Sequence, residues 1–336
     1  MNMNTNDNTK KESAVTMKDV AREAGVSIGT VSKVINGIPV GGPYREKVEA
    51  AAQKLGYRMN PLGRALRTNK SGIIALVLPS IRHPFFAGLA DEITCRLMNK
   101  GFQTQLMITS FDPEGELKCI KAVRENKADG IIALTYRPDL MVEESIPFVT
   151  IDRYAGKHVP CVASDNYGGG QMAAEKLIEL GCRKLLFIRI GSTVTGEPDK
   201  RASGFESICR TENIPYDMLY LNDQDPDALF DDYIRSHFEN GKPDFDGIFC
   251  NTDHLALRTI DRLRLIGIKI PEEVQIIGYD GITDYISGKH VCSTIVQPVG
   301  EIAETAVRLL LETEAASQPK LVLLPVSYSP GGTTRD

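Results

Sequence analysis

The sequence predicts an α/β protein with a small helix-turn-helix domain at its N-terminus and a larger, two-lobed domain of parallel sheets. Two short amphipathic helices flank a glycine within residues 16–36. From residue 73 onward, short apolar runs alternate with amphipathic helices, which is typical of parallel strands covered by helices on both faces. That part spans about 260 residues, which is too long for one doubly wound domain, so we expect two lobes.

The first helix pair is predicted from its capping residues and its apolar spacing. Thr16 is a good N-cap, and apolar residues follow it at helical spacing. Gly25 ends the first helix, because glycine adopts the left-handed conformation at little cost. Ser27 caps a second helix predicted over residues 28–35. In such a pair, the N-terminal residues of the second helix meet base edges in the major groove.

The outward side chains of this pair are mostly hydrogen-bond donors or cations, which suit phosphates and bases. A plain helical hairpin would explain the two helices but not this donor-rich outer face. The predicted DNA contacts in the pair are Thr16, Ser27, Ile28, Gly29, Thr30, Ser32, Lys33 and Asn36.

The charge is unevenly distributed. Residues 1–70 hold 12 Lys and Arg against 6 Asp and Glu, whereas the rest of the chain holds 27 against 38. The chain as a whole has a net charge of −5, which alone would argue against a nucleic-acid partner. A basic head on an acidic body is nevertheless the distribution expected when one domain binds DNA.

Cysteine usage and hydropathy indicate a cytoplasmic protein. The seven cysteines are scattered without a CxxC motif, as expected of thiols in a reducing compartment. The N-terminus lacks the apolar core of a signal peptide, and no apolar run approaches the length of a membrane span. Residues 1–15 are predicted to be a disordered tail.

Three motifs in the first 60 residues carry a family resemblance. They are DVA at 19–21, AGVS at 24–27 and TVSKVIN at 30–36, and a third helix is predicted over 43–55. Together they resemble the DNA-binding headpiece of the LacI/GalR family of bacterial transcriptional regulators, here residues 16–58. The resemblance implies a homodimer that binds pseudo-palindromic operator DNA and answers to a small-molecule effector, usually a sugar.

Residues 59–71 resemble the hinge helix and linker of that family. The resemblance implies that Tyr57, Asn60 and Arg64 contact DNA and that Leu66 inserts into the minor groove as a wedge. Gly63 stands where alanine is usual in the family, so we expect a more flexible hinge.

Residues 72–336 are predicted to form the two lobes, which resemble the periplasmic-binding-protein fold. Predicted strands cover residues 73–78, 103–109, 130–134, 148–151, 161–163, 185–188, 247–250, 275–278 and 321–324. Predicted helices cover residues 85–100, 114–126, 167–180, 200–212, 226–239, 253–265 and 299–314. The resemblance implies three crossovers between the lobes, near residues 164, 295 and 320.

Residues that follow the predicted strands are the candidates for ligand binding, because ligands bind beyond the carboxyl ends of parallel strands. Motifs that match the family are PxxxxPFF at 79–86, DN at 165–166, RxxGF at 201–205 and GYD at 278–280. The predicted effector contacts are Ser80, Arg82, Phe85, Phe86, Arg153, Asp165, Arg201, Asp253 and Asp280. A helix cap or a solvated turn is the commoner role of any one such aspartate, and core packing explains one phenylalanine equally well.

Carboxylates and an arginine suit the vicinal hydroxyls of a sugar. Asp165 and Asp280 against Arg201 disfavour a strongly anionic ligand, although Arg153 and Lys200 could reverse that balance. The family resemblance also leaves purines and phosphoprotein corepressors as alternative effectors.

Two other classes of protein compete with a repressor. A solute-binding protein for sugar uptake has similar lobes, but it needs a signal peptide and no headpiece. An enzyme is disfavoured, since GxGxxG, P-loop, HExxH and GxSxG motifs are all absent from the sequence. We therefore expect a sugar-controlled DNA-binding repressor with no metal, no cofactor and no membrane partner.

Overall fold

The computed structural model describes residues 15–57, 70–137, 140, 146–156, 159–222, 224–239, 242–312 and 321–335. The chain forms two compact units, Met1–Ser71 and Gly72–Asp336. The first contains the helices α1 (Met17–Ala24), α2 (Ile28–Ile35) and α3 (Gly42–Leu55). The prediction for the second helix is confirmed at both ends. Most of the predicted tail and hinge lies outside the described residues.

Local hydrogen bonds explain why α1 and α2 begin where they do. Thr16 Oγ1 accepts from the backbone N–H of Asp19 at 3.4 Å, and the Asp19 carboxylate accepts from the Thr16 N–H at 3.0 Å. This reciprocal pair is a capping box. Ser27 Oγ accepts from the Thr30 N–H at 3.1 Å. Gly25 ends α1 at φ 66°, a conformation that favours glycine.

A small apolar core holds the three helices together. It consists of Val20, Ala21, Val31, Val34, Val48 and Ala51, all buried. Val31 and Val34 therefore form the inward face of α2. Helix α3 begins after Gly41, which has no side chain to cap the free N–H groups.

The first lobe of the second unit is a fully parallel six-stranded sheet in the order β13-β5-β4-β3-β1-β2. Its strands are β1 (Ile73–Leu78), β2 (Gln103–Ile108), β3 (Gly130–Ala133), β4 (Phe148–Ile151), β5 (Cys161–Ser164) and β13 (Leu321–Leu324). Its helices are α4 (Pro84–Asn99), α5 (Pro113–Glu125) and α10 (Val299–Leu311). Helices α4 and α10 cover one face of the sheet and α5 covers the other.

The second lobe is a six-stranded sheet in the order β14-β12-β11-β10-β6-β7, parallel except for β14. Its strands are β6 (Leu185–Ile190), β7 (Tyr216–Leu221), β10 (Gly247–Cys250), β11 (Gln275–Asp280), β12 (Ser293–Val296) and β14 (Ser327–Ser329). Its helices are α6 (Asn166–Glu179), α7 (Lys200–Thr211), α8 (Asp227–Ser236) and α9 (Asp253–Leu265). A short pair, β8 (Phe238–Glu239) and β9 (Lys242–Pro243), stands apart from this sheet.

The chain crosses between the lobes three times among the described residues, after β5, after β12 and after β13. The predicted crossovers near residues 164 and 295 are confirmed, and the third lies at 325–326 rather than near 320. Strands β7, β12 and β14 were not predicted. The predicted helix over 226–239 was too long, because it ends at Ser236 and the chain then forms β8.

Candidate DNA interface and ligand cleft

The predicted DNA contacts of the headpiece are accessible. Ile28 is 47% exposed, and Thr16, Ser27, Gly29, Lys33 and Asn36 are exposed as well, while Thr30 and Ser32 are partly buried. Some of their polar groups are already engaged. The Thr30 hydroxyl lies 2.9 Å from Ser27 Oγ, and Asn36 Nδ2 donates to the Ser32 carbonyl at 2.5 Å. Lys33 is the one cation of α2, and its exposed side chain can reach a base or a phosphate.

Two exposed apolar side chains of the headpiece were not singled out in the sequence. Ile38 is 51% exposed and Tyr44 is 55% exposed. Tyr57 is partly buried against the headpiece core, so its ring has a packing role. The predicted contacts Asn60, Arg64 and Leu66 lie outside the described residues.

Arg201 is the centre of the polar cluster in the cleft between the lobes. It is buried at the start of α7, where Nε donates to Asn166 Oδ1 at 2.7 Å and Nη1 donates to the Asn251 carbonyl at 2.6 Å. Its guanidinium carbon lies 3.6 Å from the centre of the Tyr279 ring. These contacts fix the arginine in one orientation, as a preorganised site requires.

Glycines let the helices approach closely enough to build this cluster. A Cβ on Gly170 of α6 would lie 2.0 Å from the Arg201 carbonyl oxygen on α7. A Cβ on Gly169 would lie 2.8 Å from the Tyr279 ring. Gly169 and Gly170 therefore serve the close packing of α6 against Tyr279 and α7.

Asp280, at the end of β11, is buried beside this arginine. Gln297 Nε2 donates to Asp280 Oδ1 at 2.7 Å, and Gln297 Oε1 accepts from Ser164 Oγ at 2.8 Å. Asp280 Oδ2 faces His83 of the first lobe, with 3.7 Å to His83 Nε2, which is too long for a hydrogen bond. Asp280 is thus linked through Gln297 to the crossovers after β5 and after β12.

Several buried polar atoms of the cleft have no hydrogen-bond partner within the described part of the chain. They are His83 Nδ1, Asp152 Oδ1, Glu197 Oε2, Asn251 Oδ1, Tyr279 OH and Asp280 Oδ2. Buried polar atoms are normally paired, so such a concentration needs an explanation. Asp152 and Asp280 also have positive φ values of 60° and 129°, which strain a residue with a side chain. A polar ligand between the lobes would supply the missing partners.

Burial shifts the ionisation of this cluster. Desolvation raises the pKa of Asp280 to about 8, against the lowering effect of Arg201. It also raises the pKa of Asp152 to about 6, against Arg201 and Arg153. Desolvation, with His254 and Arg201 nearby, lowers the pKa of His83 to about 4. At pH 7 His83 and Asp280 are therefore largely neutral and do not form an ion pair.

The first lobe contributes an aromatic wall to the cleft, which we define as His83, Phe86, Phe111 and Tyr136. Their ring centres lie 5.3 Å apart for His83 and Phe86, 6.4 Å for Phe86 and Phe111, and 5.3 Å for Phe111 and Tyr136. The Arg153 guanidinium stacks on Tyr136 at 4.3 Å. Only Phe86 and Arg153 were predicted. Such a wall suits the apolar face of a sugar ring.

The structure places four other predicted contacts in local roles. Phe85, in the first turn of α4, is buried in the first-lobe core, so it has the core-packing role given as its alternative. Asp253 is fully buried and accepts from the Ile282 N–H at 2.7 Å, so it positions the loop after β11 rather than facing the cleft. Asp165 caps α6 by accepting from the Gly168 N–H at 2.9 Å. Ser80 Oγ accepts from the Arg82 N–H at 3.0 Å, and the Arg82 side chain is exposed.

Within the described residues, no group of His, Cys, Asp or Glu has the arrangement of a metal site. No helix among them is both long enough and apolar enough to cross a membrane.

Both parts of the chain match known families. Residues 16–60 match the family described as bacterial regulatory proteins, lacI family. Residues 174–334 match the periplasmic binding protein-like domain. The first match covers the three headpiece helices, and the second covers most of the second lobe together with α10 and β13 of the first lobe.

The chain is also similar to whole proteins. It is 32% identical to a ribose operon repressor of Halalkalibacterium halodurans, over 88% of this chain and 89% of that one. It is 32% identical to a sucrose operon repressor of Streptococcus mutans, over 94% of this chain and 98% of that one.

Solved structures share the fold. One is a periplasmic binding protein/LacI transcriptional regulator of Alkaliphilus metalliredigens complexed with D-xylulofuranose. It is 29% identical, with a TM-score of 0.67, and the match covers 79% of this chain and all of that one. The lac repressor dimer bound to operator has a TM-score of 0.79 at 21% identity, over 96% of this chain. The headpiece, the two sheets and the extent of these matches establish that the chain belongs to the lacI family of bacterial regulatory proteins.

Proposed function

We propose that the protein is a sequence-specific DNA-binding repressor whose affinity for operator DNA is controlled by a sugar bound between the lobes. The observation that carries the proposal is the group of unpartnered, buried polar atoms in the cleft, on a chain that also presents a capped helix pair. The names of the ribose and sucrose operon repressors and the D-xylulofuranose complex support a sugar. We assign no reaction to the cleft, and an operator-binding role places the protein in the cytoplasm.

The headpiece provides the DNA contacts in this proposal. Ser27, Ile28 and Gly29 open α2, where a recognition helix meets base edges, and Lys33 follows one turn later. Thr16 and the first turn of α1 provide the phosphate contacts that set the register. Asn60, Arg64 and Leu66 remain proposed hinge contacts on the basis of their sequence motif.

The hydrogen-bonding groups of the cleft favour a neutral sugar over a sugar phosphate. Arg153 and Arg201 are the cations, and Asp152 and Asp280 lie beside them. Both guanidinium groups already have protein partners, Val194 and Tyr136 for Arg153, and Asn166 and Asn251 for Arg201. Both guanidinium groups are thus oriented by protein contacts, and the carboxyl and amide oxygens of the cluster can accept from sugar hydroxyls.

A homodimer is part of the proposal, because one headpiece reads only one half of a pseudo-palindromic operator. The lac repressor, which shares the fold, is a dimer on its operator. Exposed apolar side chains of the second lobe provide candidate surface for it. Tyr285 is 101% exposed, Ile286 93% and Leu265 79%.

The first test is calorimetry of the full-length protein with a panel of neutral sugars, sugar phosphates and purines. We expect a neutral sugar to bind, and Asp280→Ala and Arg201→Ala each to weaken binding. Losing a hydrogen bond should cost about 0.5–1.5 kcal/mol for the neutral carboxyl group of Asp280 and about 1.5–3 kcal/mol for the charged Arg201, the latter more than tenfold in affinity.

Asp261→Ala is the matched control, since Asp261 is an exposed aspartate on α9 of the same lobe. It should bind the sugar like the wild type. Equal binding by the wild type and by both cleft variants would show that the assigned site is wrong. Binding of only a purine or a phosphorylated sugar would contradict the ligand class.

A further inference from the structure

The lobes are also joined by a contact at the edge of the cleft, between residues 152–154 after β4 and residues 192–199 after β6. We call residues 192–199 the strap. The Glu197 N–H donates to the Asp152 carbonyl at 2.9 Å, and Arg153 Nη1 donates to the Val194 carbonyl. A Cβ on Gly196 would lie 2.9 Å from Arg153 Cγ. The strap of the second lobe therefore packs tightly on the first lobe.

The Glu197 side chain connects the lobes within this contact. It is fully buried, and its Oε1 accepts from the Tyr154 hydroxyl of the first lobe and from Lys200 Nζ of the second lobe, the latter at 2.7 Å. A buried carboxylate is costly unless its partners stay in place. If the lobes move apart, Glu197 loses the Tyr154 hydroxyl and keeps Lys200. Tyr154 is therefore the partner that depends on the arrangement of the lobes.

A hydrogen bond and an ion pair hold the strap to its own lobe, but a pocket lies beside it. Asp199 Oδ2 accepts from the Gly196 N–H at 2.8 Å, and Asp199 pairs with Arg189 at 2.9 Å. Thr193, Thr195 and Asp199 line an open pocket of about 460 Å³. The strap thus has bonds that hold its internal shape, and the second lobe does not surround it on every side.

We propose that the strap is a latch that stabilises one arrangement of the lobes, with Tyr154 as the residue that closes it onto Glu197. An effector acts through its different affinities for two states of the protein. A latch that favours one state therefore sets the ratio of the two states before the effector binds. The proposal rests on the proposed function, because the lobes matter to DNA only if the cleft controls DNA affinity. Tyr154 acts through Glu197 and is 40% exposed, so it is a positioning residue.

The test uses Tyr154→Phe, which removes one hydroxyl and keeps the ring. In full-length protein without ligand, hydrogen exchange of the amides in residues 192–199 should become about tenfold faster. Affinity for a duplex that the wild type has selected from a random-sequence pool should change at least about fivefold. A higher DNA affinity in Tyr154→Phe shows that the latch favours the arrangement of the lobes that binds DNA weakly, and a lower affinity shows the opposite.

Two variants serve as controls. Tyr167→Phe changes an equally exposed tyrosine, 40%, on α6 and should leave both measurements unchanged. Lys200→Met removes the same-lobe partner of Glu197 and should leave the Tyr154 contact between the lobes intact. Faster exchange in Tyr154→Phe with unchanged DNA affinity would overturn the latch, and so would unchanged exchange. A wild type that selects no duplex would instead contradict the proposed function itself.

Discussion

Asp280 illustrates how the surroundings of one side chain decide its chemistry. The carboxyl group is 7% exposed and has Arg201, Asp253, Asp152 and His83 around it. Desolvation outweighs the attraction of Arg201, so the pKa of Asp280 rises to about 8. The folded protein therefore holds a proton here that the unfolded chain releases near pH 4.

This proton gives a pH dependence with a definite sign. Between about pH 4 and pH 8 the folded state binds one more proton than the unfolded state at Asp280. The stabilisation that comes from this extra proton is therefore fully present at low pH and is lost as the pH rises to about 8. In Asp280→Asn this contribution is absent. The stability of the wild type relative to Asp280→Asn should fall by roughly 1 kcal/mol per unit between pH 5 and 8, measured by urea unfolding.

Asp284→Asn is the control for this experiment, because Asp284 is exposed and hydrogen bonds from Ser287 lower its pKa. Its stability difference from the wild type should stay constant between pH 5 and 8. A constant difference for Asp280→Asn over the same range would contradict the buried, protonated carboxyl group.

The sequence could indicate which side chains follow a strand but not which way each one points. Asp280 was found because it follows a strand end, Arg201 because it opens a predicted helix, and both match family motifs. Phe85 and Phe86 are adjacent on α4, and only the packing of α4 on the sheet decides that Phe85 is core and Phe86 is partly exposed. Gln297 was missed because it follows β12, a strand that was not predicted.

At the scale of secondary-structure elements, the ends of the headpiece helices were predictable because their signals are local. Thr16, Gly25 and Ser27 each act within four residues of their own position. Strand β12 lacks such a signal, since Ser293 and Thr294 make it look polar. In the fold, Ser293 is buried and lies 2.5 Å from Thr334 through their hydroxyls. That partner is 41 residues away, so sequence periodicity could not reveal it.

The capping box of α1 makes a prediction about headpiece stability. Thr16→Ala removes the side-chain acceptor for the Asp19 N–H, so α1 should lose about 0.5–2 kcal/mol of stability. Amide exchange of residues 17–25 in the full-length protein should rise accordingly. Thr16→Ser keeps the hydroxyl and should exchange like the wild type. Equal exchange in Thr16→Ala and Thr16→Ser would show that the box is dispensable.

At the scale of the whole molecule, the basic and acidic residues are concentrated in different domains, the headpiece and the two-lobed domain. Residues 1–70 carry the excess of Lys and Arg, so phosphate contacts should dominate DNA binding. The cleft contains the buried carboxyl groups of Asp152 and Asp280, which suit a neutral polyol. The alternation of strands and helices was enough to predict two parallel sheets. The edge strand β14 was not predictable, because it is three residues long and antiparallel to its neighbour.

The central claim is that a sugar in the cleft controls DNA binding by the headpiece. The most direct measurement is fluorescence anisotropy of the duplex selected by the wild-type protein, over a range of salt concentrations, with and without the sugar found by calorimetry. We expect the logarithm of affinity to fall linearly with the logarithm of salt concentration. We also expect saturating sugar to change the affinity by about 5–150-fold. An affinity that is independent of salt, or that is the same with and without bound sugar, would contradict this account.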